Sequence, residues 1–445
     1  MGKRETAESI FHLNTMSAES APQASPENPG PSPPAGVKKP NVKERLLSLD
    51  AFRGLIMLSL VCGGFGLRGA SRRHLETNPD SGFWQWVNYQ FNHTQWNGCS
   101  VWDIIMPCFL FMVGMSMAYS SSRRKHEGQS FRDLLRHAIK RSVILIILGF
   151  VLDDLSKGYL YVSLSNVLIV MGCGYTFLFL ISLYPFKTQV KIACAILVVT
   201  WIAFELYPGA GIDFDSPDLS VEKRAWAEEH LKGVRDPWHA GANLSTPINN
   251  FLVGWVPGGE FKNGIKIHVK TGPVSYIQFV TAIVTMLFGL WSGLLIKSDR
   301  SQKDKLKILV ISGCGLMLLG MILDVTGICP IIKRLWTPSF TLYVGGVSIL
   351  LFASLFWVID VMRFKWWVYP FACMGMNSLL MFCLVKVHFG TYIKQSLEIY
   401  FGDGLFSFYG VVDSPNSAIS GSIIIAAVYL LISVWLYRQK IFITI

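Results

Sequence analysis

Apolar stretches of about 20 residues recur along this chain, and a helix of that length crosses the ~30 Å hydrocarbon core of a bilayer. The clearest are Val101–Tyr119, Leu160–Leu183, Ile192–Leu206, Val274–Ile296, Ile308–Val325, Phe340–Val358, Val368–Val385 and Ile419–Tyr437. Two more are less clean. Leu46–Leu67 carries Asp50 and Arg53 in its first turns, and Val143–Leu152 is long enough only if Asp133–Arg141 begins the same helix. Backbone in lipid must satisfy its own hydrogen bonds, so such spans are helical. The fold expected is therefore all-α: a polytopic integral membrane protein of about ten transmembrane helices. Charged residues make up only 16% of the chain, well below the ~25% usual for a soluble domain. Mean hydropathy is +0.41.

Lys and Arg set the orientation. Lys38, Lys39, Lys43 and Arg45, the cluster Arg123–Arg141, Lys297–Lys307, and Arg438 with Lys440 fall on one side of a ten-span arrangement. The positive-inside rule makes that side cytoplasmic, which puts both termini in and the long segment 207–272 outside. The net charge of +11 is mostly this topology signal together with attraction to anionic lipid. No basic stripe interleaved with aromatics suggests nucleic acid. Residues 1–41 read as a disordered cytoplasmic tail, because Ala21–Gly36 is rich in Pro, Ser and Ala and poor in apolar side chains. The transmembrane domain then covers 42–445. The nine cysteines show no CxxC spacing, so neither a zinc site nor a redox couple is expected.

Chemistry-bearing residues gather in one place. Phe91-Asn-His-Thr-Gln-Trp-Asn-Gly98 runs almost directly into Val101-Trp-Asp-Ile-Ile-Met-Pro107, which enters a span. This sets the imidazole of His93, the carboxamide of Asn97 and the carboxylate of Asp103 at the mouth of one helix. Imidazole exchanges protons under mild conditions, and a membrane-helix Asp needs a partner or a wet cavity. The tryptophans nearby, Trp96 among them, fit an interfacial aromatic belt as well as a sugar-stacking surface. At the other end of the first span, Asp50 and Arg53 share a helix face. They form either an anchoring ion pair or a grip for a cytosolic phosphate, which suits the planar fork of Arg.

Several segments match a known family in order. These are Arg45-Leu-Leu-Ser-Leu-Asp-Ala-Phe-Arg-Gly54, His93–Gly98 with Asp103–Gly114, Pro330-Ile-Ile-Lys-Arg-Leu-Trp336 with Ser339, and Gly375-Met-Asn-Ser-Leu379. They resemble the heparan-α-glucosaminide N-acetyltransferases, transmembrane acyltransferases with many bacterial members. Gly254–Phe261 is similar, less closely, to an outer-loop segment of that family. The resemblance implies acetyl transfer from cytosolic acetyl-CoA to an amino sugar across the membrane, with the active-site histidine at His93 and no metal. The chain lacks the large luminal domain of the animal enzymes, so a bacterial build and a plasma-membrane location are expected, and an oligomer is compatible with it. Two positions depart from the family pattern: Gly64 stands where Asn is frequent, and Ser165-Asn166 replaces a Pro-Gly in a stretch that also lacks the usual Gln-Arg.

The chemistry is coherent on these residues. An amine attacks a thioester once a base such as His93 takes its proton, or His93 carries the acyl group itself. Asp103 is placed to orient His93 in the manner of a triad acid. Asn97 and Asn377 are candidate oxyanion donors, with Trp96 beside them for the acceptor. Asp50, Arg53 and Lys333 are the candidates for holding acetyl-CoA. The rival reading is a secondary transporter without acyl chemistry, which glycine-interrupted helices and intramembrane acids also allow.

Overall fold

The computed structural model describes residues 46–126, 130–209, 220–260, 266–270, 273–407, 411 and 414–443. The expected tail, 1–41, lies outside them. The fold is helical, as the apolar windows require, and begins with α1 (Leu47–Val61), α2 (Leu67–Thr77), α3 (Gly82–Gln90), α4 (Val101–His126) and α5 (Phe131–Lys157). A short strand, β1 (Leu160–Val162), leads into α6 (Val167–Ser182) and α7 (Phe186–Glu205). The expected outer loop has structure of its own: α8 (Val221–Leu231), α9 (Ser245–Val253), β2 (Gly259–Glu260) and β3 (Lys266–Val269). Helices α10 (Gln278–Lys297), α11 (Gln302–Val325) and α12 (Pro338–Phe356) follow. The chain then forms α13 (Val368–Met376), α14 (Ser378–Lys386), α15 (Phe389–Phe401) and α16 (Ser417–Arg438). The strands make one small sheet of order β1-β3-β2, with β1 parallel and β2 antiparallel to β3.

Among the described residues, 6 helices are long and apolar enough to cross a membrane, or 7 if the pair α13–α14, bent by 74°, counts as one span. This is the architecture of an integral membrane protein. The other three expected spans are α1, with 15 residues, α5, whose 27 residues carry charges at both ends, and α6, with 16 residues. The window Leu160–Leu183 does not start as helix. Leu160–Val162 pairs with Ile267–Val269 as strand, and Asn166 caps α6 by accepting from the Leu168 amide at 2.9 Å. The window Val368–Val385 is likewise not one helix. It breaks at Asn377, whose buried carboxamide donates to the Ile441 carbonyl and accepts from the Ile443 amide, both at 3.1 Å.

Helices in lipid gain little from hydrophobic association and depend on close backbone approach at small residues. Glycines provide it here in reciprocal pairs. A Cβ on Gly114 of α4 would lie 1.8 Å from the Met286 carbonyl of α10, and one on Gly289 would lie 1.9 Å from the Phe111 carbonyl of α4. Gly54 of α1 and Gly375 of α13 meet the Phe371 and Asp50 carbonyls in the same way, at 1.9 and 2.0 Å. Gly114→Ala should therefore destabilise the detergent-solubilised protein by about 1–3 kcal/mol through overpacking. Gly315→Ala, which meets nothing within 4 Å, should leave the melting temperature unchanged. Equal melting curves for the two variants would show that the contact carries no weight.

Candidate active site

The loop between α3 and α4 is built by short-range hydrogen bonds. Asn92 extends the end of α3 by donating to the Asn88 carbonyl at 2.7 Å. Gly98 has φ +100°, and a Cβ there would meet the Tyr89 hydroxyl at 2.9 Å, so the turn needs glycine. Its amide donates to the Ile331 carbonyl at 2.8 Å, which ties this loop to the segment before α12. Ser100 and Asp103 form a capping box at the start of α4. The Ser100 hydroxyl accepts from the Asp103 amide at 3.3 Å, and the Asp103 carboxylate accepts from the Ser100 amide at 3.2 Å.

Asp103 is fully buried, and its two oxygens do different work. Oδ2 accepts from the Thr94 amide at 3.1 Å, the Thr94 hydroxyl at 2.9 Å and the Ser100 amide at 3.2 Å. Ser100 Oγ lies 3.0 Å from the same oxygen and 2.6 Å from the Asn92 carbonyl, so its single proton is shared between them. Oδ1 meets His93 Nδ1 at 2.7 Å and Lys333 Nζ at 2.9 Å. A buried carboxylate with this many donors is held as the anion. The proton in the 2.7 Å contact therefore sits on His93 Nδ1, and in the neutral ring Nε2 carries the free lone pair. Lys333 Nζ lies 3.0 Å from Nδ1 because both donors share one acceptor. The His93 side chain is 56% exposed, whereas that of Lys333 is only 17% exposed.

The segment that carries Lys333 is clamped as firmly. Thr337 caps α12, donates to the Pro330 carbonyl at 2.8 Å and accepts from the Ile332 amide at 3.1 Å. Ser339 donates to the same carbonyl at 2.7 Å, and Asp324 accepts from the Ile331 amide at 2.8 Å. Trp336, buried with φ +55°, has its carbonyl held by Thr281 at 2.7 Å.

Three cavities meet at His93. One of about 740 Å³ is lined by Arg68, Arg72, Glu76, Asn88, Gln95 and Arg334 among others. A second, of about 550 Å³, adds Gln85, Tyr89, Asn97, Glu229 and Lys232. The third, of about 160 Å³, leads among apolar side chains, Leu60, Trp102, Ile105, Met106, Phe109, Val167 and Phe382, with Lys333 and His93 at its polar end.

The candidate residues separate into two groups. His93, Asp103 and Lys333 come together, so Lys333 stands with the imidazole rather than with Arg53. Asn97 is exposed beside them, its Oδ1 accepting from the Gly98 amide at 2.9 Å. Trp96 is 1% exposed and packs in a core with Trp238, Ile332 and Leu335. Its indole donates to the Trp238 carbonyl at 2.9 Å, which makes the ring a loop anchor at the edge of the second cavity. Asn377 is buried in the α13–α14 break near Asp50, its carboxamide taken up by Ile441 and Ile443 rather than joined to the His93 cluster. Asp50 and Arg53 form an ion pair at 3.6 Å at the end of α1 away from His93, and Arg53 also donates to Ser116. Arg68, Arg72 and Arg334 were not legible as site residues, although Arg334 lies in a matching segment.

The residues at the positions that depart from the family pattern are used locally. At Gly64, with φ +70°, a Cβ would meet the Phe91 ring at 2.7 Å. Asn166 caps α6 and donates to Asp153 at 2.7 Å, and Ser165 accepts from Lys270 at 3.1 Å.

Replacing Asp103 by Ala leaves the partly buried Lys333 without its carboxylate and the buried Thr94 and Ser100 donors without their acceptor, which costs about 3–5 kcal/mol. His93→Gln changes a half-exposed side chain and should cost under about 1 kcal/mol. Thermal melting of both variants checks this, and an Asp103→Ala protein as stable as the parent would contradict the arrangement.

No family model matches the chain. Among curated proteins, human heparan-alpha-glucosaminide N-acetyltransferase is 22% identical over 452 residues, covering 92% of this chain and 61% of the human one. The mouse protein of the same name is 22% identical over 443 residues, covering 89% of this chain and 60% of its own length. The chain thus spans about three fifths of the length of these relatives. Along nine tenths of its own length, this membrane protein resembles the heparan-alpha-glucosaminide N-acetyltransferases.

Proposed function

We propose that the protein is a transmembrane acyltransferase that moves an acetyl group from cytosolic acetyl-CoA to the amine of an amino sugar on the other side of the membrane. The observation that carries this reading is the position of His93, where a narrow apolar cavity meets two wide polar ones. The apolar cavity suits an acyl thioester arm. The carboxamides of Gln85, Asn88, Asn92, Gln95 and Asn97 suit sugar hydroxyls, since an amide meets a hydroxyl as donor through nitrogen or as acceptor through oxygen. The relatives' name supports an acetyl group as cargo and a glucosaminide as acceptor.

In the reaction, the amine nitrogen attacks the thioester carbonyl carbon while its proton passes to His93 Nε2. Asp103 steadies the imidazolium. Lys333 has three N–H donors and uses one on Asp103, so another is available to the developing oxyanion. The C–S bond then breaks, and the CoA thiolate leaves and takes up the proton. Arg53, roughly 12 Å of helix rise from the end of α1, is assigned to the donor's phosphates on the cytoplasmic side.

His93→Ala should lose about 10²-fold or more in acetyl transfer, followed by mass spectrometry of glucosamine incubated with purified protein and acetyl-CoA. Retention of most of the turnover would refute the base assignment. The orientation has its own check. A Glu222→Cys protein, carrying the thiol on exposed α8, should react with an impermeant maleimide from the non-cytoplasmic side of sealed vesicles. Reaction from the cytoplasmic side alone would overturn the topology and the outward placement of His93.

A further inference from the structure

The cavity of about 740 Å³ at His93 is basic. Arg68 and Arg72 stand one helical turn apart on α2, so their guanidinium groups share a face, and Arg334 approaches from the clamped segment before α12. Glu76 supplies the one carboxylate in the lining. Among the described residues, no carboxylate lies in ion-pair distance of Arg68, Arg72 or Arg334, and their side chains have no hydrogen-bond partner there. By contrast, Arg53 and Arg235 are each paired with a carboxylate. Arg334 is half-buried, and burial pushes its guanidinium down against the upward pull of Asp103. The charge of Arg334 is felt by a neighbouring lysine. Lys270 is pushed down first by burial and next by the charge of Arg334, and Asp153 pulls it back up.

Arg68 and Arg72 are exposed and Arg334 is half-buried, and three guanidinium groups with no carboxylate partner around one cavity create a positive field that draws anions to it. They suit a ligand with an oxyanion, which a guanidinium fork holds with two parallel bonds. We infer that the acceptor carries an anionic group, a phosphate, sulfate or carboxylate, held by Arg68, Arg72 and Arg334 while its amine faces His93. This rests on the transfer reading above and adds to it a charge requirement on the acceptor. The same three groups are also able to take the phosphates of the donor, and the two sources differ in which substrate depends on them.

Two measurements on the purified full-length protein decide the matter. In the first, acetyl transfer is compared for glucosamine, glucosamine 6-phosphate and glucosamine 6-sulfate. The anionic acceptors should have a kcat/KM about tenfold or more above neutral glucosamine, because a charged pair contributes at least that much. The double variant Arg68→Gln/Arg72→Gln should erase the preference. Arg300→Gln, an exposed arginine in the turn between α10 and α11, should keep it. A variant that raises the KM of acetyl-CoA and leaves the acceptor preference intact assigns the cavity to the donor and overturns the inference, as does the absence of any preference in the parent protein. In the second measurement, binding of glucose 6-phosphate, which has no amine, is titrated without donor. Binding that the double variant loses supports the anion site even if no acceptor is acetylated, so a failed transfer reading is distinguished from a failed anion site. Equal binding to parent and variant overturns the site.

Discussion

The buried carboxylate of Asp103 is the interaction on which the site depends. A charge removed from water is tolerable only where donors surround it, and this one collects them from three segments: the loop after α3, the cap of α4 and the loop before α12. Each donor it recruits fixes a piece of chain. Thr94 and Ser100 fold the loop over the helix start, Lys333 brings in the second loop, and His93 is turned so that its other nitrogen faces the cavities. The carboxylate thus fixes the ring's tautomer and the local fold at the same time. A neutral isostere could fill the space without ordering all three segments.

The helix bundle brings those segments together. Backbone contacts at Gly114 and Gly289 set α4 against α10, and those at Gly54 and Gly375 set α1 against α13. The break at Asn377 turns α14 so that Lys386 reaches Asp153 at 2.9 Å, near the cap of α6. The 160 Å³ apolar cavity lies between α1, α4, α6 and α14, so its width depends on these contacts. The glycines are therefore tied to the chemistry only through the spacing they impose.

How much of this was legible in the sequence follows from the range of each interaction. The apolar windows and the His93–Asp103 pair rest on spacing along the chain, and both could be read directly. The start of α6 could not, because the apolar run Leu160–Val162 fits a strand as well as a helix and only its pairing with β3 decides. Lys333 lies 240 residues from His93, and no local signal says which of several polar clusters it joins. Asn377 and Trp96 were ambiguous in the sequence for a related reason. A polar or aromatic side chain in a motif can serve the backbone as well as a ligand, and here their partners are the C-terminal segment and Trp238. Arg68 and Arg72 on a polar helix look like a solvated face until the structure sets Arg334 beside them.

The central claim, that Asp103 holds the proton on His93 Nδ1 and leaves Nε2 as the free base, is open to direct measurement. In protein labelled with ¹⁵N-histidine, the His93 signals can be assigned by their loss in His93→Gln. In the neutral ring, Nδ1 should give the shift of a protonated nitrogen and Nε2 that of an unprotonated one, and Asp103→Asn should weaken that preference. A neutral His93 protonated at Nε2 would contradict the account, since the nitrogen facing the cavities would then have no lone pair to accept the amine's proton.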